Sequence, residues 1–64
     1  MNLPLTYYVR FTYKNKEYSH QFTAGRVLTQ EMIEHEIEHF ILHKFGRDYD
    51  ASKIIVTSYN YEES

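Results

Sequence analysis

Leu5-Thr6-Tyr7-Tyr8-Val9-Arg10-Phe11-Thr12-Tyr13 decides the fold. Leu5, Tyr7, Val9, Phe11 and Tyr13 point one way, while Thr6, Tyr8, Arg10 and Thr12 point the other. A period of two over this length predicts a strand with one buried face. Lys14-Asn15-Lys16-Glu17 follows as a turn, because Asn15 tolerates the positive φ of a two-residue loop. Beyond the turn, Tyr18, His20, Phe22 and Ala24 alternate in their own right. The expected register places Tyr13 opposite Tyr18, Phe11 opposite His20, Val9 opposite Phe22 and Tyr7 opposite Ala24. Lys14 would pair with Glu17, Arg10 with Gln21 and Tyr8 with Thr23. A slip of one residue would scatter the apolar side chains over both faces, so a hairpin over residues 5–24 is self-consistent.

Gly25 interrupts the second strand. Thr29 is a natural N-cap, Glu31 suits the positive end of the helix dipole, and Leu28 with Ile33 fits a hydrophobic staple. The helix should run from Gln30 to Phe45, with His43 and Lys44 in its last turn and Gly46 just past its end. Residues 47–52 read as a polar loop. The last strand, about residues 53–61, carries Ile54, Ile55, Val56, Tyr59 and Tyr61. Right-handed crossover places this strand beside the first. The expected class is therefore α+β, a ββαβ chain with a three-stranded antiparallel sheet of order 2-1-3 and one helix on one face.

Sixty-four residues allow one domain with a thin core. Cysteine is absent, so disulfides and cysteine-based zinc sites are excluded. The remaining common reinforcement is self-association, and a homodimer through helix faces or strand edges is expected. A net charge of −2 supplies no basic stripe for nucleic acid. No apolar run reaches membrane-spanning length, and Met1-Asn2-Leu3-Pro4 lacks the character of a signal peptide, which makes the cytoplasm the default compartment.

At about 100° per residue the helix separates into three stripes. Ile33, Ile37, Phe40 and Ile41 form the core stripe, and Glu31, Glu34 and Glu38 an acidic one. His35, His39 and His43 repeat on the side away from the core, flanked by Met32 and Leu42. A lone helix on a sheet needs one apolar face, so Met32 and Leu42 are surplus to it and mark a partner surface. With Tyr59 and Tyr61, these five residues form the expected protein-binding set.

His35-Glu36-Ile37-Glu38-His39 also matches H-E-x-x-H, the spacing that sets two zinc-binding imidazoles on one helix face beside a glutamate base. Catalytic zinc needs a third protein ligand, an open position and a walled cleft. His43 lies in line on the same helix, and His20 is expected to face the core side of the sheet, away from the motif. Binding rather than catalysis is the reading, without a cofactor and with at most adventitious chelation of a divalent ion by His35 and His39. The alternatives are a zinc-dependent hydrolase on this motif and a single-stranded nucleic-acid binder, in which Tyr8, Arg10 and Thr12 share an open sheet face with Tyr59 or Tyr61.

Tyr7-Tyr8-Val9, Lys16-Glu17-Tyr18, Gly25 with Leu28-Thr29, and Ala51-Ser52-Lys53-Ile54-Ile55 together resemble the small uracil-DNA glycosylase inhibitor proteins of some bacteriophages. These pieces span most of the chain. The resemblance implies a dimer that cups a protruding apolar residue of a DNA-repair enzyme and blocks its DNA-binding surface. The helix here is longer and lacks that group's Phe-Glu-x-x-Tyr arrangement, so no binding residue is carried over.

Overall fold

A computed structural model describes residues 4–63. Met1-Asn2-Leu3, part of the stretch weighed above as a leader, and Ser64 lie outside the described residues. Two strands, β1 (Leu5–Tyr13) and β2 (Lys16–Ala24), precede the helix α1 (Gln30–Phe45) and a third strand, β3 (Ile54–Glu63). The sheet is antiparallel with order β2-β1-β3, and α1 covers one face. Among the described residues, no helix is long and apolar enough to cross a membrane.

The odd residues of β1 are buried because this strand is paired on both edges and roofed by the helix. Leu5, Tyr7, Val9, Phe11 and Tyr13 meet Ile33, Ile37 and Ile41 of α1 in a single core. Phe40 is only half-buried: it leans off the core stripe towards β2 and meets Phe11 edge-on at 6.2 Å between ring centres.

The hairpin register differs from the expected one by two residues. Tyr13 lies opposite Lys16, Phe11 opposite Tyr18, Val9 opposite His20, Tyr7 opposite Phe22 and Leu5 opposite Ala24. The turn therefore consists of Lys14 and Asn15, both with positive φ (50° and 66°). A shift of two preserves every face assignment, which is why alternation alone does not detect it. Two cross-strand aromatic stacks accompany the observed register, Phe11 with Tyr18 at 5.7 Å and Tyr7 with Phe22 at 5.4 Å. Such pairs each contribute about 0.2–1 kcal/mol over alanine pairs. Lys14 is held in its unfavourable conformation by two further bonds, its N–H to the Lys53 carbonyl and its Nζ to the Asp48 carbonyl.

The helix begins and ends where its caps place it. Thr29 Oγ1 accepts the Met32 N–H at 3.2 Å. Gly46, at φ 60°, donates its N–H to the Leu42 carbonyl. The loop beyond is two short 3₁₀ turns, Gly46–Asp48 and Ala51–Lys53, rather than irregular chain. Tyr13 tethers it: the buried hydroxyl donates to the Asp48 carbonyl at 3.0 Å and accepts the Asp50 N–H at 2.9 Å. Tyr7 serves the opposite end, accepting the Leu28 N–H at 2.7 Å where the chain enters the helix.

β3 contains a bulge. Its register shifts between Phe11, opposite Val56, and Arg10, opposite Ser58, so Thr57 is the extra residue, and its hydroxyl donates to the Arg10 carbonyl at 3.0 Å. The bulge inverts the alternation. Ile54 and Val56 before it, and Tyr59 and Tyr61 after it, all fall on the helix side. Ile55 is left on the open face, 61% exposed.

Two substitutions test this core. Ile37→Ala should cost about 2–5 kcal/mol by cavity formation, read as a lower denaturant midpoint. Tyr13→Phe keeps the ring but frees the Asp50 N–H, and should cost about 1–3 kcal/mol. A Tyr13→Phe variant as stable as wild type would show that the hydroxyl tether contributes nothing.

Candidate functional site

α1 lies over β1 with unlike flanks. On the β3 side Glu34 and Glu38 border a hollow with Ala51, Ile54, Ile55 and Val56. On the β2 side a groove of about 410 Å³ is lined by His20, His35, Glu36, His39, Phe40 and His43. The wall of this groove on the helix is Glu36, Phe40 and His43, while His35 and His39 keep to the side away from the core and reach the groove at its rim. This follows from helical geometry. With Ile33, Ile37 and Ile41 pinned to the sheet, steps of about 100° turn Glu36 and Phe40 sideways towards β2 and leave His35 and His39 about 160° from Ile37.

His20 was expected to face the core side of the sheet and to lie away from the H-E-x-x-H motif. It does face the core side, opposite Val9. It does not lie away from the motif, because the groove beside β2 is lined by His20 together with His35, Glu36 and His39. Its ring stacks on Phe40 at 4.1 Å and 19°, and on Phe22 at 5.6 Å. Phe40, Glu36 and His20 are thus groove residues that sequence reasoning missed. Treating Phe40 as plain core concealed both the groove floor and the contact that brings His20 to it.

The ring centres of His35 and His39 are 4.8 Å apart with planes tilted by 60°, and His35 Nδ1 lies 3.9 Å from a Glu38 carboxylate oxygen. An i, i+4 pair of this kind can chelate one divalent ion. Among the described residues, no group of three or more His, Asp or Glu side chains is placed to hold a metal ion. Burial pushes the His20 imidazole below its ordinary pKa, and the nearby Glu36 carboxylate partly restores it. Lys44, with its ammonium 5.7 Å from the Phe40 ring centre, adds positive charge at the groove's end.

The remaining expected site residues separate. Met32 and Leu42 are exposed on α1, Met32 with its sulfur 3.9 Å from Arg26 Nη2. Tyr59 and Tyr61 lie on β3, across the helix from the histidines. Tyr61 packs on Tyr7 at 5.0 Å. Because of the bulge, neither tyrosine shares a face with Tyr8, Arg10 and Thr12, which corrects the stacking platform considered above. Tyr8 instead lies opposite Asn60 and donates its hydroxyl to Glu62 at 2.8 Å. That acidic neighbour raises the Tyr8 pKa and opposes a phosphate backbone.

No protein-family model, curated protein or solved structure matches the chain.

His20 generates a pH prediction. Its folded pKa is depressed, so below the reference value of about 6.5 the unfolded chain takes up a proton that the folded chain resists. Stability is complete above that value and should fall as pH drops from 7 towards 5. His20→Phe keeps the stack on Phe40 and should flatten that dependence, measured by melting at each pH. An unchanged slope would place the acid sensitivity in other groups.

Proposed function

We propose that the chain is a small dimeric protein-binding module that regulates or inhibits a protein partner. The supporting observation is apolar surface that the core does not use. Met32 is 39% exposed, Leu42 44%, Tyr59 41% and Tyr61 47%, all on the helix-bearing side. The opposite sheet face carries mostly Thr, Ser, Gln, Arg and Glu, as a solvated face does. Side chains of mixed character, large and with one polar end, are those that protein interfaces favour.

The resemblance to phage inhibitors makes uracil-DNA glycosylase the first partner to test. The assay is uracil excision with stoichiometric chain added, and inhibition that follows a one-to-one or two-to-one complex by sedimentation is the expected result. Full excision in the presence of excess chain would remove this enzyme from consideration.

A second reading, a zinc-dependent hydrolase, draws on the 4.8 Å pairing of His35 and His39 with Glu36 in the same groove. Metal analysis of the purified chain separates the two. Stoichiometric zinc, with hydrolysis lost in Glu36→Gln, would support the enzyme over the module.

Paired substitutions test the division of the helix into a folding face and a binding face. Met32→Ser with Leu42→Ser should move stability by less than about 0.5 kcal/mol each, as surface changes do, while weakening partner binding at least tenfold. A serine pair that melts as early as Ile37→Ala would show that Met32 and Leu42 belong to the core.

A further inference from the structure

Among the described residues, both outer strands leave one edge unpaired, and the two edges are not alike. β3 is bulged at Thr57 and ends in Glu62 and Glu63, devices that discourage pairing. β2 has no bulge. Its nine residues pair with β1 without a register break, and it contains neither proline nor glycine. Its charges, Lys16 and Glu17, sit together at one end. A regular, nearly neutral edge of this length is a template for another strand.

The turn settles which groups that edge offers. A two-residue loop at Lys14 and Asn15 makes Tyr13 and Lys16 a pair that exchanges both hydrogen bonds. Alternation along the register then gives the N–H and C=O of Lys16, Tyr18, His20, Phe22 and Ala24 to β1. Those of Glu17, Ser19, Gln21 and Thr23 point outward.

We infer that a second copy of the chain pairs with this edge, β2 against β2 in antiparallel register, with the two-fold axis at His20. The inference rests on the dimeric reading above and names the surface through which the dimer forms. Self-complementarity supports it. With the axis at His20, Ser19 meets the partner's Gln21 and Glu17 meets the partner's Thr23, so every outward group of the strand is bonded. An axis at Ser19 strands Thr23, and an axis at Gln21 strands Glu17. The same register sets Tyr18 opposite the partner's Phe22 twice over, on the side where both rings are only half-buried. Lys16 meets the partner's Ala24, so within the strand pair no like charges face each other.

The groove completes the fit. Each helix lies over its own β1, so the two helices stand three strand spacings apart, about 14 Å. Directly packed helices sit about 8–10 Å apart. The flank of each helix that borders this gap carries Glu36, Phe40 and His43, above the facing His20 pair. The product is a six-stranded sheet with both helices on one face.

The chain lacks cysteine, so single cysteines report the register directly. In the proposed pairing, position 20 faces itself as a non-hydrogen-bonded pair, with a Cα separation of about 4.5 Å, within disulfide range. His20→Cys should cross-link to a dimer on mild oxidation, whereas Gln21→Cys, facing position 19, should not. Independently, Gln21→Pro removes an outward N–H that no bond among the described residues uses. It should keep the far-ultraviolet circular dichroism of wild type and raise the dimer dissociation constant by at least ~100-fold in sedimentation equilibrium. A wild-type chain that stays at monomer mass at 100 µM overturns both this inference and the dimeric reading. A wild-type dimer whose His20→Cys variant links no better than Gln21→Cys overturns the β2 interface alone and leaves the dimeric module standing. Should Gln21→Pro fail to fold, the cysteine pair still decides.

Discussion

The structure depends on one strand having to satisfy two demands together. β1 is hydrogen-bonded along both edges, and its odd side chains supply most of the buried surface, from Leu5 at one end to Tyr13 at the other. A chain of this size has material for a single layer of core. The helix therefore contributes only Ile33, Ile37 and Ile41 to the fully buried set, and the strands on either side contribute half-buried residues. Everything outside that layer is left with spare surface, including the flanks of the helix and the outer edges of β2 and β3.

Tyr7 and Tyr13 show how so thin a core still fixes the connections. Each buries its ring completely and sends its hydroxyl to a loop at the end of the sheet. Tyr7 receives the Leu28 N–H where the chain enters α1, and Tyr13 holds the Asp48 and Asp50 backbone where it leaves. Phenylalanine would fill the same volume but leave those backbone groups without a partner. Asp50, whose carboxylate accepts the N–H and hydroxyl of Ser52, is held below its ordinary pKa and keeps the second 3₁₀ turn closed.

The same geometry explains why the chain's histidines converge. α1 is held down by its isoleucines, so its next positions overhang the neighbouring strands, Glu34 and Glu38 over β3 and Glu36, Phe40 and His43 over β2. His20 reaches the groove from the sheet and meets an aromatic floor of Phe40 and Phe22. That floor runs beside the β2 edge of the sheet.

Much of this was legible in local sequence. Alternation in residues 5–13 and the 3.6-residue spacing of Ile33, Ile37 and Ile41 determine the elements and their buried faces, and Thr29 and Gly46 place the ends of the helix. The strand order follows from chain connectivity and handedness. The exact hairpin register, the bulge at Thr57 and the arrival of His20 beside His35 and His39 do not follow. A two-residue register shift leaves every face unchanged, so the periodic pattern is indifferent to it; aromatic stacking and the anchoring of Lys14 accompany the choice. The bulge puts Tyr59 and Tyr61 on the helix side, although Ile54, Ile55 and Val56 start as an unbroken apolar run. Local periodicity records which way a side chain points, whereas the groove depends on how far two elements slide and tilt against each other, and that is settled only when the whole core packs.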